Sequence, residues 1–254
     1  MSEINNHLNA LIIGASQGIG FGFVEKVLEN NQFGHIFATY RQKSSTDKLL
    51  ALKSQYSDRL SCLQVDITQE SQIAAAVQEI STTVDKLHLV IYCVGVLHQG
   101  DLQPEKSLRQ IVPENLIYYF QVNSLGAVLW AKHLMPLLNH RDHNIFASIS
   151  AKVGSIGDNY LGGWYGYRAS KAALNMFLRT TAIEYSRRCR QTIVVALHPG
   201  TTDTRLSQPF QKNVPPEKLF PVEKTVNQLW TVMEGLTIKD SGKFFSWDGT
   251  VLPW

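Results

Sequence analysis

Cysteine is scarce in this 254-residue sequence, and the three present, Cys62, Cys93 and Cys189, lie far apart. No CxxC pair and no neighbouring histidine pair accompanies them. That argues for free thiols in a reducing cytoplasm, with no disulfide frame and no metal site of the zinc type. Long apolar runs are missing too: none reaches the ~18 residues that a membrane span needs. The opening stretch MSEINNHLNA is polar and does not read as a signal peptide. Nor is there a block of one charge. The net charge is +3, acidic residues are scattered among the basic ones, and the densest basic group, Arg187-Arg-Cys-Arg190, falls where a helix should end. Cations there complement the helix dipole, so nucleic acid is not the expected partner, while a small positive excess suits an anionic cofactor. A hydrophobic fraction of 44% with 18% charged residues excludes a disordered tail protein and is ample for a sizeable core.

What is present alternates between strand and helix. The apolar stretch Ala10–Ile13 runs into Gly14-Ala-Ser-Gln-Gly18-Ile-Gly20 and then into the helical pattern FGFVEKVLEN. Strand, glycine turn and helix make a phosphate-binding arrangement: Gly14 gives the tight exit, Gly18 lets backbone approach a pyrophosphate, and Gly20 lets the helix pack closely. A second strand is expected over His35–Tyr40, followed by Arg41, Gln42 and Lys43 where an NAD site would usually place an acid. With no Asp or Glu there, Arg41 is placed to pair with a ribose 2′-phosphate, which favours NADP. The other reading makes Arg41 and Lys43 solvated loop charges.

Further along, a helix (Thr46–Ser57) and a third strand (Leu60–Val65) lead to Asp66, which could accept from an adenine amine or cap the helix Ser71–Val84. The run Leu87–Cys93 suits a central parallel strand covered on both faces, and Gly95 at its end would leave room for a ribose. A long helix is expected from about Glu114 to Leu138, with Asn123 on its apolar stripe; a buried amide there either satisfies a backbone group or holds a water. Strand Ile145–Ser150, helix Tyr165–Arg187, strand Thr192–Leu197, helix Val222–Gly235 and strand Lys243–Ser246 complete the pattern. The Tyr165–Arg187 helix is expected to bury Ala169, Ala172, Ala173, Met176, Thr180 and Ile183. Between His198-Pro-Gly200 and Pro221 no period is visible. The alternation without linkers predicts one doubly wound α/β domain over 1–254, a Rossmann-type parallel sheet of about seven strands with helices on both faces. Ligands in such sheets bind beyond the carboxyl ends of the strands.

Tyr165-Gly-Tyr-Arg-Ala-Ser-Lys171 stands out within this pattern. Tyr167 and Lys171, at i and i+4, share a helix face. The lysine charge is expected to favour the ionised phenol, tuning it toward acid/base work near neutrality. Tyrosine and lysine also occur at this spacing where the ring merely packs and the ammonium is solvated.

Taken together, the glycine turn, the acid after the third strand, Gly95, Asn123, Tyr167 with Lys171 and Pro199-Gly200 resemble the short-chain dehydrogenase/reductase family over essentially the whole chain. Within it, SxxVGSI, GGWYGYRASKAALN and HPGTTDT look like the C-factor and sniffer-type carbonyl reductases. The resemblance implies Tyr167 as proton donor, Lys171 as its tuner and ribose ligand, and Asn123 as anchor of a relay water. It implies contacts to the cofactor from Ser16, Gln17, Ile19, Ile67, Thr202 and Thr204 as well, with Thr204 near the carboxamide. Ile13 replaces the family threonine, and Tyr92-Cys93-Val94 replaces most of the NNAG stretch. The family serine falls on Ala151; Ser150 is the expected substitute donor, Ser155 the reserve, a site without a serine the remaining alternative, and Ser148 a core hydroxyl bonded to backbone. The activity implied is NADPH-dependent reduction of a ketone, aldehyde or quinone. A cofactor-sensing signalling or interaction protein with little turnover is the alternative. Pairing into a homodimer or homotetramer through the helices of Asn123 and Tyr167 is what the family would imply.

Overall fold

Strands that are apolar on both faces are stable only when both faces are covered, and that requirement sets the architecture. The computed structural model describes residues 7–254; residues 1–6, part of the polar start read as no signal peptide, lie outside them. The strands are β1 Leu8–Ile13, β2 Phe33–Tyr40, β3 Leu60–Gln64, β4 Leu89–Tyr92, β5 Asn144–Ile149, β6 Thr192–His198, β7 Thr201–Thr202, β8 Leu219–Phe220 and β9 Phe244–Ser246. Seven of them form one parallel sheet in the order β3-β2-β1-β4-β5-β6-β9. The chain winds outward from β1 to β3, then returns to start again at β4. A crevice opens where the winding reverses.

The helices are α1 Gly18–Glu29, α2 Asp47–Gln55, α3 Glu70–Thr83, α4 Pro113–Phe120, α5 Gly126–Leu138, α6 Tyr165–Arg188 and α7 Val222–Glu234. One face of the sheet presents Ala10, Ile12, Ile193 and Val195 to Phe23, Val24 and Val27 of α1 and to Leu229 and Met233 of α7. The other presents Leu11, Ile13, Val194 and Ala196 to Ile73 and Ile80 of α3, Trp130 and Leu134 of α5, and Leu174 and Leu178 of α6. Alternate residues of one strand therefore feed two separate cores, as the pleat requires. Among the described residues no helix is long and apolar enough to cross a membrane, and all three cysteines are free thiols.

Four local expectations change. β4 is shorter than the run Leu87–Cys93, because the Leu87 N–H donates to the Leu137 carbonyl outside the ladder. The helix expected from Glu114 to Leu138 is divided by a π turn, Gln121–Leu125, which contains Asn123. The segment from Thr201 to Pro221 is a folded flap, closed at its base by parallel pairing of β7 with β8. On α6 the buried side is Tyr167, Ser170, Lys171, Leu174, Asn175, Leu178, Thr181, Ala182 and Tyr185, whereas Ala169, Met176, Thr180 and Ile183 face outward and Ala172 and Ala173 are half-buried. Polar residues with buried partners occupy the inner face, so apolar periodicity selected the wrong one.

The contact that seats α6 on the sheet runs through Gly154, where a Cβ would stand 2.7 Å from Lys171 Cβ and 2.9 Å from its carbonyl carbon. Backbone cannot move aside as a flexible side chain can. Gly154→Ala should therefore destabilise the protein by about 1–3 kcal/mol in a denaturant titration. Gly157→Ala, whose Cβ would meet nothing closer than 3.6 Å, should leave the midpoint unchanged.

Candidate active site

The β1–α1 turn presents backbone to the crevice. Gly14 has φ of +84° and a Cβ there would lie 2.6 Å from Val94 Cγ2; at Gly20 a Cβ would collide with the Gly14 carbonyl oxygen. The Gly14 N–H donates to Thr39 Oγ1 at 3.0 Å and Ala15 N–H to the Thr39 carbonyl. β2 thus supports the turn where Ile13 has no hydroxyl to offer. No side chain caps α1 and no acid lies in its first turn, so its N-terminus is left to attract an anion.

Gly14, Ser16, Gln17, Gly18, Ile19, Gly20, Arg41, Asp66, Ile67, Gly95, Tyr167, Lys171, Pro199, Gly200, Thr202 and Thr204 all line one cleft of about 770 Å³. Arg41 is exposed at its rim, its Nη1 3.4 Å from the Tyr118 hydroxyl. Asp66 Oδ1 accepts from the N–H and hydroxyl of Thr68, so this carboxylate braces its own turn and leaves its second oxygen free of that bond. A Cβ on Gly18 would come within 3.3 Å of the Thr204 methyl, which brings the flap over the phosphate turn. The Thr202 hydroxyl pairs with Thr225 Oγ1 at 2.9 Å and so serves the flap's base.

Tyr167 and Lys171 do share a face, and both are buried against the cleft. Lys171 Nζ donates to the Ile149 carbonyl at 3.0 Å and lies 5.9 Å from the centre of the Tyr167 ring. Burial pushes the Tyr167 phenol well above its ordinary value. The expected lowering by Lys171 does not appear: burial alone sets the direction of the shift, while the cation is held over the ring by a carbonyl at the end of β5. Burial draws the Lys171 ammonium down to about 8, with the Cys93 thiol acting in the opposite direction. The Tyr167 phenol is accordingly protonated at neutral pH, and Lys171 is charged below about pH 8.

Asn123 is fully buried behind the cleft. Its Oδ1 accepts from Val96 N–H at 2.7 Å, and its Nδ2 donates to the Val96 carbonyl at 2.9 Å and to Ser170 Oγ at 3.0 Å. The side chain therefore satisfies a backbone peptide, the first of the two roles open to a buried amide. Ser150 lines the cleft because β5 ends at Ile149, but its hydroxyl donates to Asn175 Oδ1 at 2.6 Å. Ser155 is buried outside the cleft and accepts from Asp158 N–H. Ser148 is also buried, and its hydroxyl has no partner, contrary to the backbone bond expected. Ala151 lines the cleft without a donor.

Sequence reading passed over several residues that shape the site. Asn175, one turn beyond Lys171 on the same helix face, holds Ser150; the i+4 spacing was the available signal. His98, Trp164 and Phe210 form an aromatic wall, with Trp164 and Phe210 edge-on at 5.1 Å and Trp164 and Tyr167 at 6.2 Å. Away from the cleft, His88, His140 and Asp142 converge within 4.8 Å. His88 Nδ1 accepts from Asn9 N–H, which places its proton on Nε2, and Lys86 holds the Asp142 carboxylate at 3.0 Å. That tautomer and that ion pair make the group a structural cluster.

Comparison with known proteins agrees with this geometry. The family model for short chain dehydrogenase matches residues 8–215. The C-signal protein of Myxococcus xanthus is 33% identical over 135 residues, 53% of this chain and 76% of that protein. The NADPH-bound carbonyl reductase from chicken fatty liver superposes with a TM-score of 0.87 at 26% identity, covering 98% of this chain and 100% of that one. The carbonyl reductase Sniffer of D. melanogaster shares the fold, with a TM-score of 0.86 at 24% identity and coverage of 98% and 100%. With its parallel sheet, its glycine turn and a family match over residues 8–215, the chain belongs to the short chain dehydrogenase family.

Proposed function

We propose that the cleft reduces a carbonyl compound with NADPH, Tyr167 protonating the oxygen as the carbon is reduced. One observation carries this reading: an uncapped helix N-terminus, a rim arginine and a buried Tyr–Lys pair face a single cleft at the carboxyl ends of the strands. When bound, the reduced nicotinamide would supply the hydride. The glycine turn would take the pyrophosphate, and Arg41 the 2′-phosphate, since no acid stands between Tyr40 and Lys43 to contest it. Gly95 leaves the space in front of Lys171 open; a Cβ there would stand 3.5 Å from Nζ and 3.6 Å from Asn123 Oδ1. Lys171 would bind the ribose across that space.

A raised phenol value suits the reductive direction. Tyr167 starts protonated and passes its proton to an alkoxide, a far stronger base. Ser150 can help steady the carbonyl only by exchanging its bond to Asn175. A relay water, if one serves Tyr167, would be held by the backbone of the π turn, because the Asn123 amide is already paired. The exposed side chains of Met176 and Ile183 on α6, Ile117 on α4 and Leu125 in the π turn are the surface through which a homodimer would form. A reducing cytoplasm is the compartment in which three unpaired thiols fit.

Tyr167→Phe should lower turnover ~100-fold or more while NADPH binding and fold persist, as expected for loss of a positioned general acid; retention of most activity would refute the role. Wild-type protein should bind NADPH more tightly than NADH, and Arg41→Asp should shift that preference roughly 10-fold or more toward NADH, measured by fluorescence titration. Lys171 is charged below about 8 and neutral above it, so NADPH affinity should fall as pH rises through that value. The step should vanish in Lys171→Ala.

A further inference from the structure

The residue immediately before the catalytic helix is held in an unfavourable conformation, and the groups that hold it are specific. Gly162, Gly163 and Trp164 have φ of 64°, 67° and 52°, and Trp164 is the sole non-glycine residue with positive φ among the described residues. Glycine visits this region freely, whereas a large aromatic does so only when its surroundings impose it. The surroundings come from two sides. Arg168 Nε donates to the Gly162 and Gly163 carbonyls at 3.2 and 3.0 Å. Glu105, from the loop between β4 and α4, accepts twice: its main-chain carbonyl from Trp164 N–H and its Oε2 from Gly166 N–H at 3.0 Å.

Glu105 is 3% exposed and its Oε1 has no partner. A carboxylate is buried at such cost only where structure compels it, and here it meets the positive end of α6, one residue before Tyr167. Gly166 has no room for a side chain, because a Cβ would run into the Tyr119 ring. The backbone on both sides of Tyr165 is therefore gripped by one residue. The consequence for the cleft is the position of the Trp164 indole, which stands edge-on to both Tyr167 and Phe210. It joins the catalytic tyrosine to the flap.

We propose that Trp164, kept in its left-handed backbone by Glu105, sets the cleft's preference for carbonyl compounds that carry an aromatic ring beside the reacting carbon. Glu105 is a positioning residue in this scheme and Trp164 a specificity-determining one. The inference rests on the carbonyl-reductase reading given above. A flat ring packed against the wall formed by Trp164 and Phe210 extends their edge-to-face contacts, and it brings the adjoining carbonyl to Tyr167. An aliphatic chain gains little from that wall.

The test compares acetylbenzoyl with diacetyl, matched α-diketones that differ by one phenyl group. Trp164→Gly should fold, since the strain it removes by tolerating positive φ offsets part of the indole packing it loses, and circular dichroism checks that it does. Its kcat/KM for acetylbenzoyl should drop ~10-fold or more, chiefly through KM, while that for diacetyl changes far less. Glu105→Ala should move the ratio the same way, and Glu105→Gln, which retains an acceptor for Gly166, should restore it. An unchanged acetylbenzoyl-to-diacetyl ratio in a folded Trp164→Gly enzyme overturns the inference alone. Failure of the unmutated protein to reduce either diketone with NADPH overturns the functional reading and the inference with it.

Discussion

A buried ammonium bonded to the last carbonyl of a central strand governs the arrangement of the cleft. Lys171 Nζ reaches the Ile149 oxygen at the end of β5, and an unpaired charge at that depth would be costly to keep. The bond is possible only because Gly154 lets the α6 backbone approach the strand end. Once α6 is seated there, Tyr167 is directed into the crevice one turn earlier, and Asn175 reaches Ser150 one turn later. Three side chains at i, i+4 and i+8 thus take their places from one contact between helix and sheet.

The same depth explains the electrostatics. Desolvation acts on Tyr167 and Lys171 in opposite directions, making the phenol a weaker acid and the ammonium a stronger one. Both shifts disfavour charge, which is the common effect of removing water. The pair is consequently a protonated phenol beside an ammonium drawn down to about 8, which would suit the proposed protonation of an oxygen as negative charge develops on it.

Around this rigid centre the two long loops are tied by polar backbone contacts and aromatic edges. Glu105 anchors one to the start of α6, and the β7–β8 ladder closes the other. Trp164, just before α6, meets Phe210 of the second loop edge-on. The π turn makes a comparable adjustment on the opposite side, placing Asn123 against the Val96 peptide where an uninterrupted helix would not have to. Irregular backbone is concentrated where the site is built, and the regular elements hold it in place.

The sequence by itself determined the parallel sheet, because uninterrupted apolar strands alternating with helices have no other way to cover both faces. It determined the glycine turn as well, since only residues without Cβ fit at Gly14 and Gly20, and it brought Tyr167 and Lys171 together through helical spacing alone. What it left undecided depended on neighbours distant in the chain. Periodicity could not identify the buried face of α6, whose Ser170, Lys171 and Asn175 are polar and satisfied by partners on other elements. Spacing could not show that burial would set the Tyr167 proton affinity. Nor could it show that Ser150 would donate to Asn175, or that Glu105 would reach the N-terminus of α6 from 61 residues away. Local pattern specifies elements; desolvation and long-range hydrogen bonds are set only when the elements meet.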